Sequence, residues 1–370
     1  MTTFRLEPAA DAAATEARWR ALEDRLAPPF FLTWPWMSAW LGVTGVRPQL
    51  LVGRADDSDV ALGFIGGGPA ADGTIALNET GVAAREVGYI EYNGLLSGLA
   101  PESLADGVLA CLLGARSAGP LRGWRALALS GVPVAWSERC RAAGLVVELR
   151  AEQRCYAVDL DALRRSGSDV LSTLSANARQ QLRRARRLYE AEGALAVTRV
   201  APGSATDEAL AELIALHQAR WIADGRPGAF AAPLFEPFVR QLIARSRPGG
   251  PHVEILRIAA GSRTIGLLLN LVAHGRIANY LSGFVAEDDN RRKPGLVSHL
   301  AAIDHHLAAG AACYDLLAGD ARYKETLATP HATLVWLTVR PRTVSTAIGA
   351  LGRIARRAGG RALRMVSRSS

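Results

Sequence analysis

One order of elements is written twice along these 370 residues, and that repetition constrains the fold more than any other feature. After a short strand, helical spacing covers 14–26, and a second short helix, rich in Trp, covers 34–41. Two extended runs follow, 49–54 and 60–66, joined by Asp56-Asp57-Ser58-Asp59, a turn-forming cluster. A strand over 86–92, a helix over 101–115 with Pro101 at its start, and a strand over 124–129 complete the set. The order then returns: helices over 207–223 and 234–245, strands over 252–259 and 264–272, a strand over 277–285, a helix over 295–309 and a strand over 312–317. The match is one of order, not of identity, and implies a duplicated α/β unit. At roughly 100–200 residues per domain, the length agrees with two units. We expect halves at 1–155 and 156–340 and a basic tail at 341–370.

The charge is unevenly spread. Forty-three basic residues face 35 acidic ones, a formal net charge of +8. From Arg340 to Ser370 there are eight Arg and no acid, so the rest of the chain is balanced at 35 against 35. The high pI therefore describes the tail and is weak support for a nucleic-acid-binding core. In the tail, Ile348, Leu351, Ile354 and Ala355 fall at helical spacing among the Arg residues. A basic helix lying on a membrane surface is one reading, a frayed terminus weakened by Gly352, Gly359 and Gly360 the other. The longest uncharged stretch, 28–46, is broken by Pro35 and is shorter than the ~20 residues a span needs. Cys111, Cys140, Cys155 and Cys313 are far apart and read as reduced thiols, and the first residues lack the pattern of a signal peptide. The expected location is cytoplasmic, with peripheral contact at the inner face of the membrane as an extension.

Two segments stand out for chemistry. Between the halves a helix opens at Ser175, a plausible N-cap, and closes by Gly193, with Ala178, Leu182, Ala185 and Tyr189 on its core face. Arg179, Arg183 and Arg187 share a neighbouring face. This is either a solvated basic face or a surface for a polyanion such as phosphates, a nucleotide or tRNA. The second segment, 278–324, holds the turn Arg291-Arg292-Lys293-Pro294-Gly295 at the entry to a helix, where free N–H groups and the helix dipole favour an anion. It is neither a Walker loop nor Gly-x-Gly-x-x-Gly. Of the 43 basic residues only Lys293 and Lys324 are Lys, and both lie in this segment. Lys is a compact, titratable donor, unlike Arg.

The run Tyr280-Leu281-Ser282-Gly283-Phe284, then Lys293-Pro294-Gly295, then Asp315-Leu316-Leu317-Ala318-Gly319-Asp320 with Tyr323-Lys324, resembles the GNAT-type acetyltransferase group named for cellulose-biosynthesis proteins, relatives of the FemAB-like transferases. Leu174-Ser175-x-Asn177-x-Arg179-x-x-Leu182-Arg183-Arg184 and Leu216-His217-x-x-Arg220-Trp221-x-x-x-Gly225-x-x-Gly228-x-Phe230 are similar to two further hallmarks. The first half is matched only by Phe31-Leu32-x-x-x-Trp36 and by Tyr89-Ile90-Glu91-Tyr92-Asn93, where the group more usually has Asp before the Tyr. The resemblance implies an α/β fold of tandem GNAT-like domains, mixed sheets flanked by helices, with a degenerate first half and a catalytic second one.

What the resemblance implies for function is transfer of an acetyl or longer acyl group from acyl-CoA to an amine or hydroxyl. The acceptor would be a polar metabolite, a sugar or a polysaccharide-pathway intermediate. The strand 279–284 would pair with the pantetheine arm, with Ser282, Gly283 and Phe284 lining it and an N–H near Ser282 or Gly283 polarising the thioester carbonyl. Arg291, Arg292, Lys293 and Gly295 would hold the pyrophosphate. Tyr323 would protonate the leaving thiolate, beside Lys324. The candidate bases are His217, Asp320 and, third, Glu287. Asn177, Arg179 and Trp221 would meet the acceptor. The plainer readings are a core-packed His217, an Asp320 that caps the next helix and a Tyr323 that only packs. His305 and His306 are adjacent and poorly placed as a metal pair, so no metal is assigned. The alternatives are a FemAB-like transferase using aminoacyl-tRNA, and a non-catalytic, membrane-associated accessory protein.

Overall fold

The computed structural model describes residues 2–9, 11–68, 72–247 and 249–342. The apolar positions of the basic tail, Ile348 to Ala355, lie outside them.

The first half consists of β1 (Thr3–Pro8), α1 (Ala12–Leu26), α2 (Trp34–Thr44), β2 (Gln49–Ala55), β3 (Ser58–Gly67), β4 (Thr74–Leu77), β5 (Leu96–Ser97), α3 (Pro101–Ser117), β6 (Ala126–Pro133) and α4 (Ala135–Ala142). The rest comprises β7 (Val146–Asp159), α5 (Leu160–Ser166), α6 (Val170–Thr173), α7 (Ala176–Glu190), β8 (Leu195–Arg199), α8 (Ser204–Ala223), α9 (Phe235–Ala244), β9 (His252–Ala260), β10 (Arg263–Ala273), β11 (Arg276–Phe284), α10 (Pro294–Ala308), β12 (Cys313–Ala318), α11 (Arg322–Leu327) and β13 (Thr329–Arg340).

Local chemistry explains the early elements. Asp11 caps α1 by accepting the Ala14 N–H. Glu23 of α1 accepts the Trp34 N–H at 2.7 Å, and the Trp19 indole donates to the Leu32 carbonyl at 2.9 Å, so α1 fixes the entry to α2. Trp19, Trp34, Trp36 and Trp40 are buried, each contributing about 1.5–3 kcal/mol or more. Asp56 and Asp57 both take positive φ, 46° and 60°, the left-handed turn that suits a two-residue hairpin between β2 and β3.

The strands form one mixed sheet, in the order β1-β2-β3-β4-β6-β13-β7-β12-β11-β10-β9-β8, with β5 pairing β3. The order is a palindrome. β1 to β4 and β6 have their counterparts in β8 to β11 and β12, with β4 parallel to β6 as β11 is to β12. This is the expected duplicated α/β arrangement, a mixed sheet flanked by helices. At its centre the halves exchange strands. β13, last in the chain, lies between β6 and β7, and its Val335, Leu337 and Val339 pack into the first-half core. Tyr156 and Val158 of β7 pack into the second-half core. The expected division at 155/156 thus falls inside β7, a strand used by both halves. A third cluster, from Trp19 through Phe64 and Phe238 to Leu281, runs across both.

The strand expected over 86–92 is not formed. The Glu86 carboxylate turns back to accept the Thr80 hydroxyl and the Gly81 N–H, and Gly88 and Tyr92 take positive φ, 70° and 48°. No extended ladder survives such a path. The segment is instead a loop joining β4 to β5.

Candidate active site

β11 and β12 run parallel but pair only through Arg276–Ala278 with Cys313–Asp315. Beyond these three residues the strands separate, and the stretch 279–284 keeps a ladder only with β10. Leu281 faces Leu269 while Asn279 faces Asn270, so Tyr280 is the extra residue of a β-bulge. A ladder of polar side chains fixes this bulge: Ser282 donates to Asn279 (2.9 Å), and the Asn279 amide donates to Asn270 (3.1 Å).

α8 lies directly on β11. A Cβ at Gly283 would stand 2.8 Å from the Leu213 carbonyl and 2.9 Å from Leu216 Cβ, so glycine permits this approach. The same packing puts His217 Nδ1 3.1 Å from the Ser282 carbonyl oxygen. Only an N–H can bond there, which leaves Nε2 as the lone-pair nitrogen. Nε2 is buried without a partner, covered by the rings of Trp221 and Phe230 at 5.8 and 5.4 Å. Desolvation lowers the His217 pKa and keeps the ring neutral.

The opposite wall is the end of β12. Leu317 takes a left-handed φ of 64°, held by its N–H donating to Asp315 at 2.7 Å. Lys324, reaching back from α11, donates to the carbonyls of Ala318 (2.6 Å) and Leu317 (3.3 Å). Burial lowers its pKa, with carboxylates led by Glu91 opposing the shift. The Tyr323 ring stacks on His299 at 5.3 Å, and desolvation pushes the phenol up to about 12, so it remains a proton donor. His299 is itself buried and neutral, pushed down to about 3 by desolvation. Asp320 is exposed and 3.7 Å from Arg154; the cap position of α11 is Ala321, with no side-chain bond, so Asp320 does not cap it.

At the entrance to α10 the charges are arranged differently from a free cationic cradle. Arg291 is held by Asp289 at 2.6–2.8 Å. Arg292 pairs with Glu192 and stacks over Tyr189. Glu287 accepts from Arg263 (2.6 Å) and from the Tyr189 hydroxyl (3.1 Å), with Arg292 3.6 Å away. Arg292 thus fastens the loop to the end of α7, while Arg291 is tied within the loop itself. Lys293 is exposed, has φ 51° and forms no ion pair among the described residues. Among the described residues the Gly295 and Leu296 N–H groups find no backbone acceptor, and no side chain caps the helix. Gly295 meets Phe284, the last residue of β11, where an added Cβ would lie 3.2 Å from the ring. The helix entry therefore adjoins the open strand.

The three residues expected at the acceptor divide. Trp221 lies against His217 with Arg226 over its ring at 5.6 Å. Asn177 is exposed and accepts from Gln181, and Arg179 is half-buried; among the described residues Arg179 has no ion pair, and no hydrogen bond or ring contact joins either residue to His217 or Trp221. Among the described residues no group of three or more His, Cys, Asp or Glu could hold a metal, and no helix is long and apolar enough to cross a membrane.

One contribution was missed in the sequence. The loop between β4 and β5 reaches the second half: Glu91 accepts the Ala318 N–H at 2.7 Å, and the Tyr92 hydroxyl donates to Asp315 at 2.7 Å. Arg276 donates to the same Asp315 oxygen at 2.7 Å. The signal was present in Tyr89-Ile90-Glu91-Tyr92-Asn93, but a strand expected there would have held these side chains in the first half.

Residues 176–325 match the family described as Acetyltransferase (GNAT) domain. A search of curated proteins finds no match in sequence. Among solved structures, FemX is similar in fold, with 9% identity and a TM-score of 0.57 over 86% of this chain and 95% of that one. L-PGS from Bacillus licheniformis is similar with 12% identity and a TM-score of 0.52, over 93% and 96%. The C-terminal domain of a putative lysylphosphatidylglycerol synthetase from Agrobacterium fabrum is similar with 13% identity and a TM-score of 0.50, over 92% and 95%. At such identities the likeness is one of fold. It spans both halves, whereas the family match lies in the second.

Proposed function

We propose that the chain is an acyltransferase of the cellulose-biosynthesis acetyltransferase kind, moving an acyl group from acyl-CoA to an amine or hydroxyl of a polar acceptor. The observation that carries this is the opening between β11 and β12, flanked by a bulged, unpaired strand edge and by the uncapped start of α10. The edge 279–284 would pair with the pantetheine amides, and an N–H beside the bulge would polarise the thioester carbonyl. The donor supplies an activated acyl carbon and a thiolate leaving group. Lys293, with the N–H groups of Gly295 and Leu296, would hold the pyrophosphate. Arg291 and Arg292 would act by holding the loop in place. Tyr323 would protonate the thiolate. Of the three candidate bases, Asp320 sits in solvent beside Arg154, Glu287 lies among arginines, and His217 has a lone pair that is covered.

The test is thermal melting with acetyl-CoA and longer acyl-CoAs. The melting temperature should rise with at least one chain length, and Lys293→Glu should weaken that donor about tenfold or more. No response at any chain length would reject this reading. A second reading, aminoacyl-tRNA as donor, draws on Arg179, Arg183 and Arg184 of α7, which have no ion pair among the described residues. It predicts retention of total tRNA in a gel shift, falling steeply with salt.

A further inference from the structure

The loop 78–95 interrupts the first half between β4 and β5 at the place where, in the second half, β11 runs on unbroken. It fills the first-half opening. β4 and β6 pair only through Thr74–Ala76 with Ala126–Ala128, as β11 and β12 do. Past that point Asn93 N–H donates to the Gly131 carbonyl at 2.9 Å, and a Cβ on Gly131 would lie 2.5 Å from the Ile90 carbonyl. Asn78 seals the plug, donating to Asn93 (2.8 Å) and to the Gly94 carbonyl (2.7 Å) while accepting the Phe64 N–H (2.8 Å). The same loop then crosses to the second-half opening. Tyr89 N–H donates to the hydroxyl of Tyr280, the bulge residue of β11, at 3.2 Å, and Glu91 takes the N–H of Ala318, the last residue of β12. The Glu91 carboxylate is thus placed between the two strands after they have separated. One oxygen is fixed by Ala318, and the other has no donor among the described residues.

We propose that Glu91, carried by the first half, is the general base of the second-half site. This rests on the acyl-transfer reading above. As the acceptor nitrogen or oxygen bonds to the acyl carbon and the carbon–sulfur bond breaks, the acceptor's proton passes to Glu91. The departing thiolate takes the Tyr323 proton, and exchange with solvent restores both groups. Asp320 and Glu287 lack this placement, and His217 Nε2 is covered. Glu91 keeps part of its surface exposed. Desolvation nonetheless pushes its carboxyl up to about 7; the Ala318 N–H and Lys324 pull it down, and Asp315 adds to the rise. The other ionisable groups in its field are Tyr323 from α11, Tyr280 from β11 and Cys155 from β7. A base needs a pKa near the working pH.

The experiment follows thiol release from acetyl-, butyryl- and palmitoyl-CoA, with ethanolamine or water alone as acceptor, for wild type, Glu91→Gln and Glu91→Asp. Glu91→Gln should lose about 100-fold or more in kcat together with the rise centred near pH 7. Glu91→Asp should recover part of both, and all three should keep the acyl-CoA melting shift. A Gln variant with the wild-type rate and pH profile overturns the proposal. Absence of any acyl-CoA melting shift in wild type instead rejects the donor, and a second measurement then decides on the base. A carboxyl whose folded pKa is raised contributes stability that is full below its unfolded pKa and is lost as pH rises through the folded value. Wild type should therefore lose melting temperature relative to Glu91→Gln between about pH 5 and 8. Parallel curves overturn the proposal whatever the donor.

Discussion

Lys324 lies in the centre of the candidate site, yet its amine is committed to two carbonyls at the end of β12. It holds the backbone where Leu317 adopts a left-handed conformation that a branched side chain disfavours. Lys324→Met would leave both carbonyls without that donor and is expected to cost about 1–3 kcal/mol, measured by urea unfolding. Lys324→Arg keeps the charge but brings a longer, planar group into a space sized for an ammonium, and should also destabilise. The rarity of Lys drew attention to this residue and to Lys293. What rarity could not convey is that the first supports backbone while the second stands free at a helix entry. The distinction depends on neighbours six and seven residues earlier or in another element. For the same reason the Arg291-Arg292 pair reads as a cationic cradle in the sequence. Arg292 is neutralised by Glu192, about 100 residues earlier, while Arg291 is held by Asp289 two residues before it.

Between elements, α8 lies so close on β11 that position 283 has no room for a side chain. Gly283→Ala would drive a methyl against the Leu213 carbonyl, which is backbone and cannot rotate away. The expected cost is about 1–3 kcal/mol. Acyl-CoA binding should weaken as well, because α8 can relieve the clash only by moving off the bulged strand; a ligand titration of the folded variant checks this. The hairpins β2–β3 and β9–β10 were legible because turn residues separate two apolar runs. The helices α1, α3, α8 and α10 were legible from their spacing and starts. β7 and β13 were not. The first part of β7, Val146–Gln153, is largely exposed and polar on one side, and only its last residues carry the apolar run of a buried strand. Their partners lie in the other half, so no local pattern announces them. The loop carrying Glu91 was misread for a related reason: Tyr89-Ile90-Glu91-Tyr92 has the composition of a strand, while the Glu86 contacts that bend it are tertiary.

For the molecule as a whole, the exchange of β7 and β13 makes each half dependent on the other for its central strand. Unfolding is therefore expected as one transition. Six of the eight Trp lie in the first half, so their fluorescence reports chiefly on it, whereas far-UV circular dichroism reports on both. The two urea curves should coincide; a resolved second transition would show that the halves fold separately. The shared sheet also lets the first half contribute a side chain to the other's site, which two separate domains on a linker could not do with a fixed geometry.

The position of β13 bears on how the chain is made. Leu129 of β6 meets Leu337, about 200 residues later in the chain. During synthesis at ~5–20 residues per second, β6 would emerge tens of seconds before the strand that covers it. Throughout that interval the growing polypeptide exposes an apolar sheet edge to its surroundings. The first half cannot settle early on the ribosome, and production of this protein should be sensitive to translation speed and to the supply of chaperones.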